Sequence, residues 1–284
     1  MSLPVELPRW KRNLGALVAS MRMRLITGSR YRGQLLVDVM IPIVFAAMPI
    51  LLGRAMGGNA AASNFEHNTG TTNYVAYMLI GSSVFTIVSY AFWNVAYWLR
   101  WEQETGTLEA LYLTPTSRFW LAAGVAAYSA ARSLLSCSIA YWLGCWVFQV
   151  DPLQGDLPLA LVFVAVGLIP LFGMTFLFGA LVLKVKESHA LIGLMQWVVS
   201  LLMGVFFPVA VFPPLVRLLA LLFPPTWMVN DVRSALLGIG YFFGSWYLDL
   251  AVMWAFLFLS PLLGYWVFRR VEHGIRRNEG VGQF

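Results

Sequence analysis

The sequence carries little charge for its length. Only 11% of its 284 residues are charged, whereas soluble domains average about 25%, and 60% are hydrophobic. A soluble fold of this size could not hide so much apolar surface. The composition therefore excludes an ordinary soluble domain and indicates a membrane protein.

Residues that commonly perform nucleotide, metal or redox chemistry are also scarce. The lysines and histidines are Lys11, Lys184, Lys186, His67, His189 and His273. No lysine lies in the glycine-rich loop that cradles nucleotide phosphates, and the histidines lack the spacing of metal ligands. Cys137 and Cys145 are about 12 Å apart along one predicted helix, which is too far for a disulfide. No catalytic residue, metal site or ATP site is predicted in this chain.

Long apolar runs are what the sequence has instead. Residues 67–99, 157–183, 188–216 and 250–268 contain no Asp, Glu, Lys or Arg. A helix needs roughly 20 residues to cross a bilayer. Two shorter runs reach this length if each is allowed to contain one charged residue, Asp38 in one and Arg132 in the other. The six predicted spans are 34–54, 74–99, 119–150, 157–183, 188–207 and 244–268. Continuous runs favour helices over alternating barrel strands, so we expect an all-α polytopic membrane protein with one domain over 1–284.

Three segments outside the spans have distinct patterns. Residues 7–32 place apolar side chains on one helical face, which predicts an N-terminal amphipathic helix at the membrane interface. A basic extension of the first span is the alternative. Residues 55–72 are rich in Gly, Asn and Ala and are expected to form a loop. Five prolines break the apolar stretch 208–240, which predicts a re-entrant outer helical hairpin between spans five and six.

Positive charge is distributed unevenly along the chain. Most Lys and Arg residues lie before the first span, beside the second and fourth connections, and after the last span. Because positively charged loops stay in the cytoplasm, both termini are expected to be cytoplasmic in a cell (inner) membrane protein.

The hydrophilic connection after the second span, residues 100–117, is named the coupling segment. Its pattern predicts a short helix parallel to the membrane, which Thr105 caps and Pro115 ends. Leu108 and Leu111 share one face of this helix by their three-residue spacing. An ordinary capped turn between two spans is the alternative interpretation.

This segment resembles the cytoplasmic coupling element of ABC type-2 exporter permeases. The positions that match the pattern of that element are Glu104, Gly106, Thr107, Leu108, Glu109, Leu111, Thr114 and Pro115. The six spans, the amphipathic N-terminal helix and the proline-broken hairpin also fit that family across nearly the whole chain.

The resemblance implies a membrane subunit that works with a separate P-loop ATPase subunit, present in two copies, which binds ATP and Mg. It also implies a second permease copy, most simply a homodimer, and no nucleic-acid partner. The coupling segment would dock on the ATPase, with acidic side chains as partners for basic ATPase residues. The residues expected to couple the two subunits are Arg100, Glu102, Glu104, Gly106, Thr107, Leu108, Glu109, Leu111, Thr114 and Pro115.

The cargo is expected to be amphipathic, lipid-like or drug-like, and to move outward. Many Trp, Phe, Tyr and Met residues suit such a cargo, although aromatic residues also form ordinary interfacial belts. Arg132 is the candidate residue of the substrate path: it would meet an anionic headgroup, or else form a polar contact between helices. The rival hypothesis is a secondary transporter or channel that ATP does not drive, and several ionisable residues at mid-membrane would favour it.

Overall fold

The computed structural model describes residues 8–278, apart from 57, 115, 184 and 186. Within these residues all regular structure is helical. The helices are α1 (Arg9–Arg30), α2 (Arg32–Met56), α3 (Gly58–Thr69), α4 (Tyr74–Ala91), α5 (Trp98–Glu104), α6 (Leu108–Leu113), α7 (Arg118–Phe148), α8 (Leu157–Val182), α9 (Ser188–Leu202), α10 (Pro214–Leu221), α11 (Pro224–Leu237) and α12 (Trp246–Asn278). A π-helical turn, Phe92–Ala96, joins α4 to α5.

Four helical segments of the described chain are long and apolar enough to cross a bilayer. They are Gly33–Ala55, Tyr74–Ala96, Leu157–Val182 and Trp246–Arg270. The pair α10 and α11, bent by 91° at a short break, makes a fifth if it is counted as one span. Helix α7 has 31 residues but carries Arg132 and a row of serines, and α9 has only 15 residues. The chain is an all-helical, multi-pass membrane protein, while the count of six crossings stays a prediction.

Helices α8 and α12 approach each other closely at glycine. A side chain at Gly173 would collide with the backbone of Ser260 and Pro261, and one at Gly264 would collide with the carbonyl group of Gly173. Small residues allow helix backbones to pack at short range in membranes, where dispersion contacts drive association. Most residues of α12 nevertheless stay exposed, whereas most residues of α4 are buried, so α4 lies at the centre of the bundle.

Helix α7 packs on α1, α2 and α4 through its small residues. Ser129, Ser133, Ser136 and Ala140 are fully buried. Gly144 lies against the side chain of Leu79 on α4. These positions belong to rows with helical spacing, so the polar hydroxyls and the small side chains together make a tight, polar helix interface.

Helix α1 contacts the bundle with one face and leaves an apolar face exposed. Ala16 is buried and Ser20 donates a hydrogen bond of 3.0 Å to the carbonyl oxygen of Leu121 on α7. Most of its other apolar side chains, including Trp10, Leu14 and Val18, are exposed. The helix therefore rests on the bundle while it presents an apolar surface to its surroundings.

The segment expected to be a loop, 55–72, contains helix α3 instead. The run of alanines at 60–62 favours a helix, whereas the neighbouring Gly and Asn oppose one. The ring of Phe65 packs against Tyr77 with centroids 5.1 Å apart. Gly70, at a φ of 75°, adopts the left-handed conformation that ends the helix.

Candidate functional site

The coupling segment forms two short helices rather than one. Helix α5 ends at Glu104 and α6 begins at Leu108, with a tight turn between them. Gly106 occupies this turn at a φ of 73°, a left-handed conformation that favours glycine. Thr105 does not cap α6, because its hydroxyl donates backwards to the carbonyl oxygen of Trp101 at 2.9 Å. The segment therefore has a fixed bend that the single predicted helix lacks.

Glu102 joins the coupling segment to α1. Its carboxylate accepts hydrogen bonds from the indole of Trp98 at 3.0 Å and from the Thr107 hydroxyl at 2.5 Å. A guanidinium nitrogen of Arg24 lies 3.4 Å from the same carboxylate. Because Thr107 is used in this way, it gives α6 no side-chain cap. Glu102 thus stabilises the bend and ties it to the N-terminal helix.

Glu104 joins the coupling segment to the start of α9. Its carboxylate accepts hydrogen bonds from Tyr97, from Arg100 at 3.1 Å and from Ser188 at 3.4 Å. The Tyr97 hydroxyl also lies 2.6 Å from Nε2 of His189. The hydrogen bond from Tyr97 holds the pKa of Glu104 below its ordinary value, and Arg100 acts in the same direction. Glu104 and Tyr97 therefore link α5 to the start of α9 through polar contacts.

The other predicted coupling residues continue the segment. Leu111 is half-buried against the core, and the Thr114 hydroxyl donates to the carbonyl oxygen of Leu111 at 2.8 Å. The backbone of Leu108 and Glu109 forms the first turn of α6. The side chains of Leu108 and Glu109, and all of Pro115, lie outside the described residues.

Sequence reasoning overlooked Leu113 in this region. Its side chain is 87% exposed at the end of α6, next to the turn that leads to α7. Burial of this side chain against a partner protein would contribute about 1.5–3 kcal/mol. The sequence does indicate this exposure, since helical spacing places Leu113 away from the face that Leu108 and Leu111 share.

Arg132 lies in the wall of a polar cavity and forms an ion pair. Its guanidinium donates to Asp38 at 2.8 Å, to the Tyr90 hydroxyl at 3.1 Å and to the Tyr128 hydroxyl at 3.2 Å. Gln34 donates to the other carboxylate oxygen of Asp38 at 2.9 Å. The pair joins α7 to α2 across 94 residues of sequence.

The polar cavity encloses about 770 Å³ between α1, α2, α4 and α7. Its charged lining residues are Arg24, Asp38 and Arg132, with hydroxyl and amide groups around them. Aromatic rings, including Phe45, Phe85 and Trp101, complete the wall. The cavity is large enough for the headgroup region of an amphiphile.

Arg233 is the second feature that the sequence did not reveal. The distribution of positive charge along the sequence assigned Arg233 to the outer side of the membrane and nothing more. In the structure its side chain is buried on α11. It donates to the carbonyl oxygens of Tyr77 at 3.1 Å, Gly204 at 2.8 Å and Val205. Its guanidinium also stacks 3.6 Å from the centroid of the Tyr77 ring. Arg233 therefore fastens α11 to α4 and to the chain that leaves α9.

Residues 24–266 match a family model described as ABC-2 family transporter protein. The match begins in the second half of α1 and ends within α12, so it includes the coupling segment and the polar cavity. No curated protein matches the chain.

Proposed function

Because the chain belongs to the ABC-2 family of transporter proteins, we propose that it is the membrane permease of an exporter that uses ATP bound by a separate subunit. The cargo that we propose is an amphipathic, lipid-like or drug-like molecule that moves outward. Permeases of this family are membrane subunits without catalytic activity of their own. The bent coupling segment with its exposed Leu113 is the observation that carries the proposal.

In this proposal six segments cross the cell (inner) membrane. They are the four apolar segments together with α7 and α9, and α10 and α11 form a re-entrant hairpin on the outer side. The coupling segment and both termini then face the cytoplasm. The basic residues that flank these segments support this orientation.

Energy transfer would begin at the coupling segment. ATPase subunits close on ATP and Mg, and the closure pushes α5 and α6. The contact of Glu102 with Arg24 carries the movement to α1, and the contact of Glu104 with Ser188 carries it to α9. Two permeases, as a homodimer, and two ATPase subunits would form the working complex.

The experiment is co-purification with the ATPase after substitution of Leu113. Leu113→Gln removes an exposed apolar side chain that makes little contact within the chain, so the fold should be unaffected. We expect clear loss of bound ATPase. Leu153→Gln is the matched control, because Leu153 is also exposed but lies in the connection at the opposite end of α7. Undiminished ATPase binding by Leu113→Gln contradicts the assigned docking surface.

A further inference from the structure

The polar cavity borders an apolar groove along α2. The groove encloses about 750 Å³ and lies between α2, Trp197 on α9 and Phe206. Aliphatic and aromatic side chains line it. Ile41 and Phe45 line both the groove and the polar cavity. A molecule with a polar end and an apolar chain could therefore occupy both at once.

The hydrogen-bond donors of the polar cavity favour an anion. The positive charge of Arg132 is balanced by Asp38, whereas Arg24 has only its 3.4 Å contact with Glu102. The Nε atom of Arg24 is buried and has no hydrogen-bond partner among the described residues. Buried donors are normally satisfied, so this nitrogen is available to a bound acceptor. With Glu102 counted, the charges around the cavity balance, so a bound anion would be held by these open hydrogen-bond donors.

Arg24 and Arg132 both line the polar cavity. Gly28 lies one helical turn after Arg24, and a side chain at Gly28 would collide with the Tyr128 hydroxyl and come within 3.2 Å of Arg132 Nη1. Helix α1 therefore packs closely on α7 beside Arg132, and both guanidinium groups border the same space. Paired arginines bind phosphate through charge-assisted hydrogen bonds.

We propose that the polar cavity and the apolar groove together bind an amphiphile with a phosphate headgroup. The phosphate lies between Arg24 and the unused N–H groups of Arg132, and the acyl or alkyl chain passes Ile41 and Phe45 into the groove. As a cargo site this rests on the proposed exporter function, but the binding itself needs no ATPase.

The test uses full-length protein purified in a neutral maltoside detergent, with labelled dodecyl phosphate as the probe. Arg24→Gln should weaken binding about tenfold or more, because a charge-assisted hydrogen bond is lost. Arg54→Gln, at the opposite end of α2 and outside both cavities, is the matched control and should bind normally. Arg24→Lys keeps the charge but removes the Nε–H group, so its affinity should lie between those of the wild type and Arg24→Gln. Unchanged binding by Arg24→Gln overturns the proposal.

Chain length and headgroup are tested on the unaltered protein, so the result does not depend on a variant that folds. Each methylene removed from the probe should weaken binding about fourfold. Inorganic phosphate should compete only weakly, and dodecyl trimethylammonium should not compete. Equal competition by inorganic phosphate shows that free phosphate is the ligand, and strong competition by the cation excludes an anion site. Either result overturns the proposal.

This assay separates the cargo site from the exporter function. If dodecyl phosphate fails to bind while the ATPase still co-purifies through Leu113, the cargo site is wrong and the exporter function stands. If the probe binds as expected and no ATPase associates, the site stands and the exporter function is wrong.

Discussion

Substitution of Asp38 by asparagine tests whether the polar cavity is held by its ion pair. The Asp38 and Arg132 side chains are only 7% and 13% exposed, and they are 2.8 Å apart. Removing one partner of a buried pair leaves an uncompensated charge and typically costs about 3–5 kcal/mol. The asparagine amide still accepts one hydrogen bond and the cavity admits water, so we expect the lower end of that range, about 3 kcal/mol.

Thermal unfolding of the purified protein in detergent measures this effect. For a chain of this size, 1 kcal/mol corresponds to roughly 2–4 °C in Tm, so Asp38→Asn should lower Tm by about 6–12 °C. The double variant Asp38→Asn with Arg132→Gln replaces the ions by two amides that can hydrogen-bond to each other. It should recover most of the loss, because neutral replacement of a buried pair is often nearly neutral in stability.

The matched control is Asp151→Asn, the same change at an exposed aspartate in the connection between α7 and α8, which should leave Tm within about 2 °C. The reasoning is refuted if Asp38→Asn changes Tm no more than this control. It is also refuted if the double variant loses the sum of the two single losses, since additivity would show that the two side chains are not coupled.

Two further predictions concern the coupling segment. Tyr97→Phe removes the hydrogen bond that lowers the pKa of Glu104. A carboxyl group whose pKa is lowered in the folded protein stabilises the fold when the pH is above its ordinary pKa of 4.5. This stabilisation is lost as the pH falls through the lowered pKa. The Tm difference between wild type and Tyr97→Phe should therefore be present at neutral pH and shrink below pH 4.5; a difference independent of pH would contradict the assigned contact. Gly106→Ala should cost about 1 kcal/mol in unfolding experiments, because nothing lies within 4 Å of the added carbon and only the left-handed backbone opposes it. Gly106→Asn should cost less, since Asn tolerates this conformation, and equal losses for both variants would point to a steric cause instead.

The sequence predicted the helices that have long apolar runs. A segment that crosses lipid must satisfy its own backbone hydrogen bonds and must be long enough to span the bilayer, and a long apolar run shows both. The sequence did not predict α3, whose composition resembles a loop and whose Phe65 packs against Tyr77. Propensity alone could not decide this segment, because Gly and Asn stand beside the alanines. Such marginal helices form through tertiary packing.

The pattern singled out Glu102 and Glu104 as coupling residues, which stays a prediction, but it did not reveal their contacts within the chain. Glu102 and Glu104 were expected to face the ATPase, and the structure shows that their carboxylates contact Arg24 and Ser188 of the same chain. These partners are 78 and 84 residues away in sequence. One sequence contains no signal that pairs charges over such distances, whereas the helix packing brings them together.

Different contacts hold the two ends of the helix bundle together, which affects how the bundle would respond to a movement of the coupling segment. At the α10–α11 end, Arg233 binds three main-chain carbonyl groups, which do not titrate and move only with their helices. At the end with the coupling segment, side-chain contacts of Glu102 and Glu104 join α5 to α1 and α9, and a π-helical turn interrupts the α4–α5 connection. Side-chain contacts can exchange partners more easily than a buried guanidinium can leave its carbonyl groups. In the proposed exporter, a push of the ATPase on α5 would therefore rearrange the helix ends around the polar cavity, while the α10–α11 end stays fixed. An exporter needs this asymmetry to change the access to a binding site from one side of the membrane.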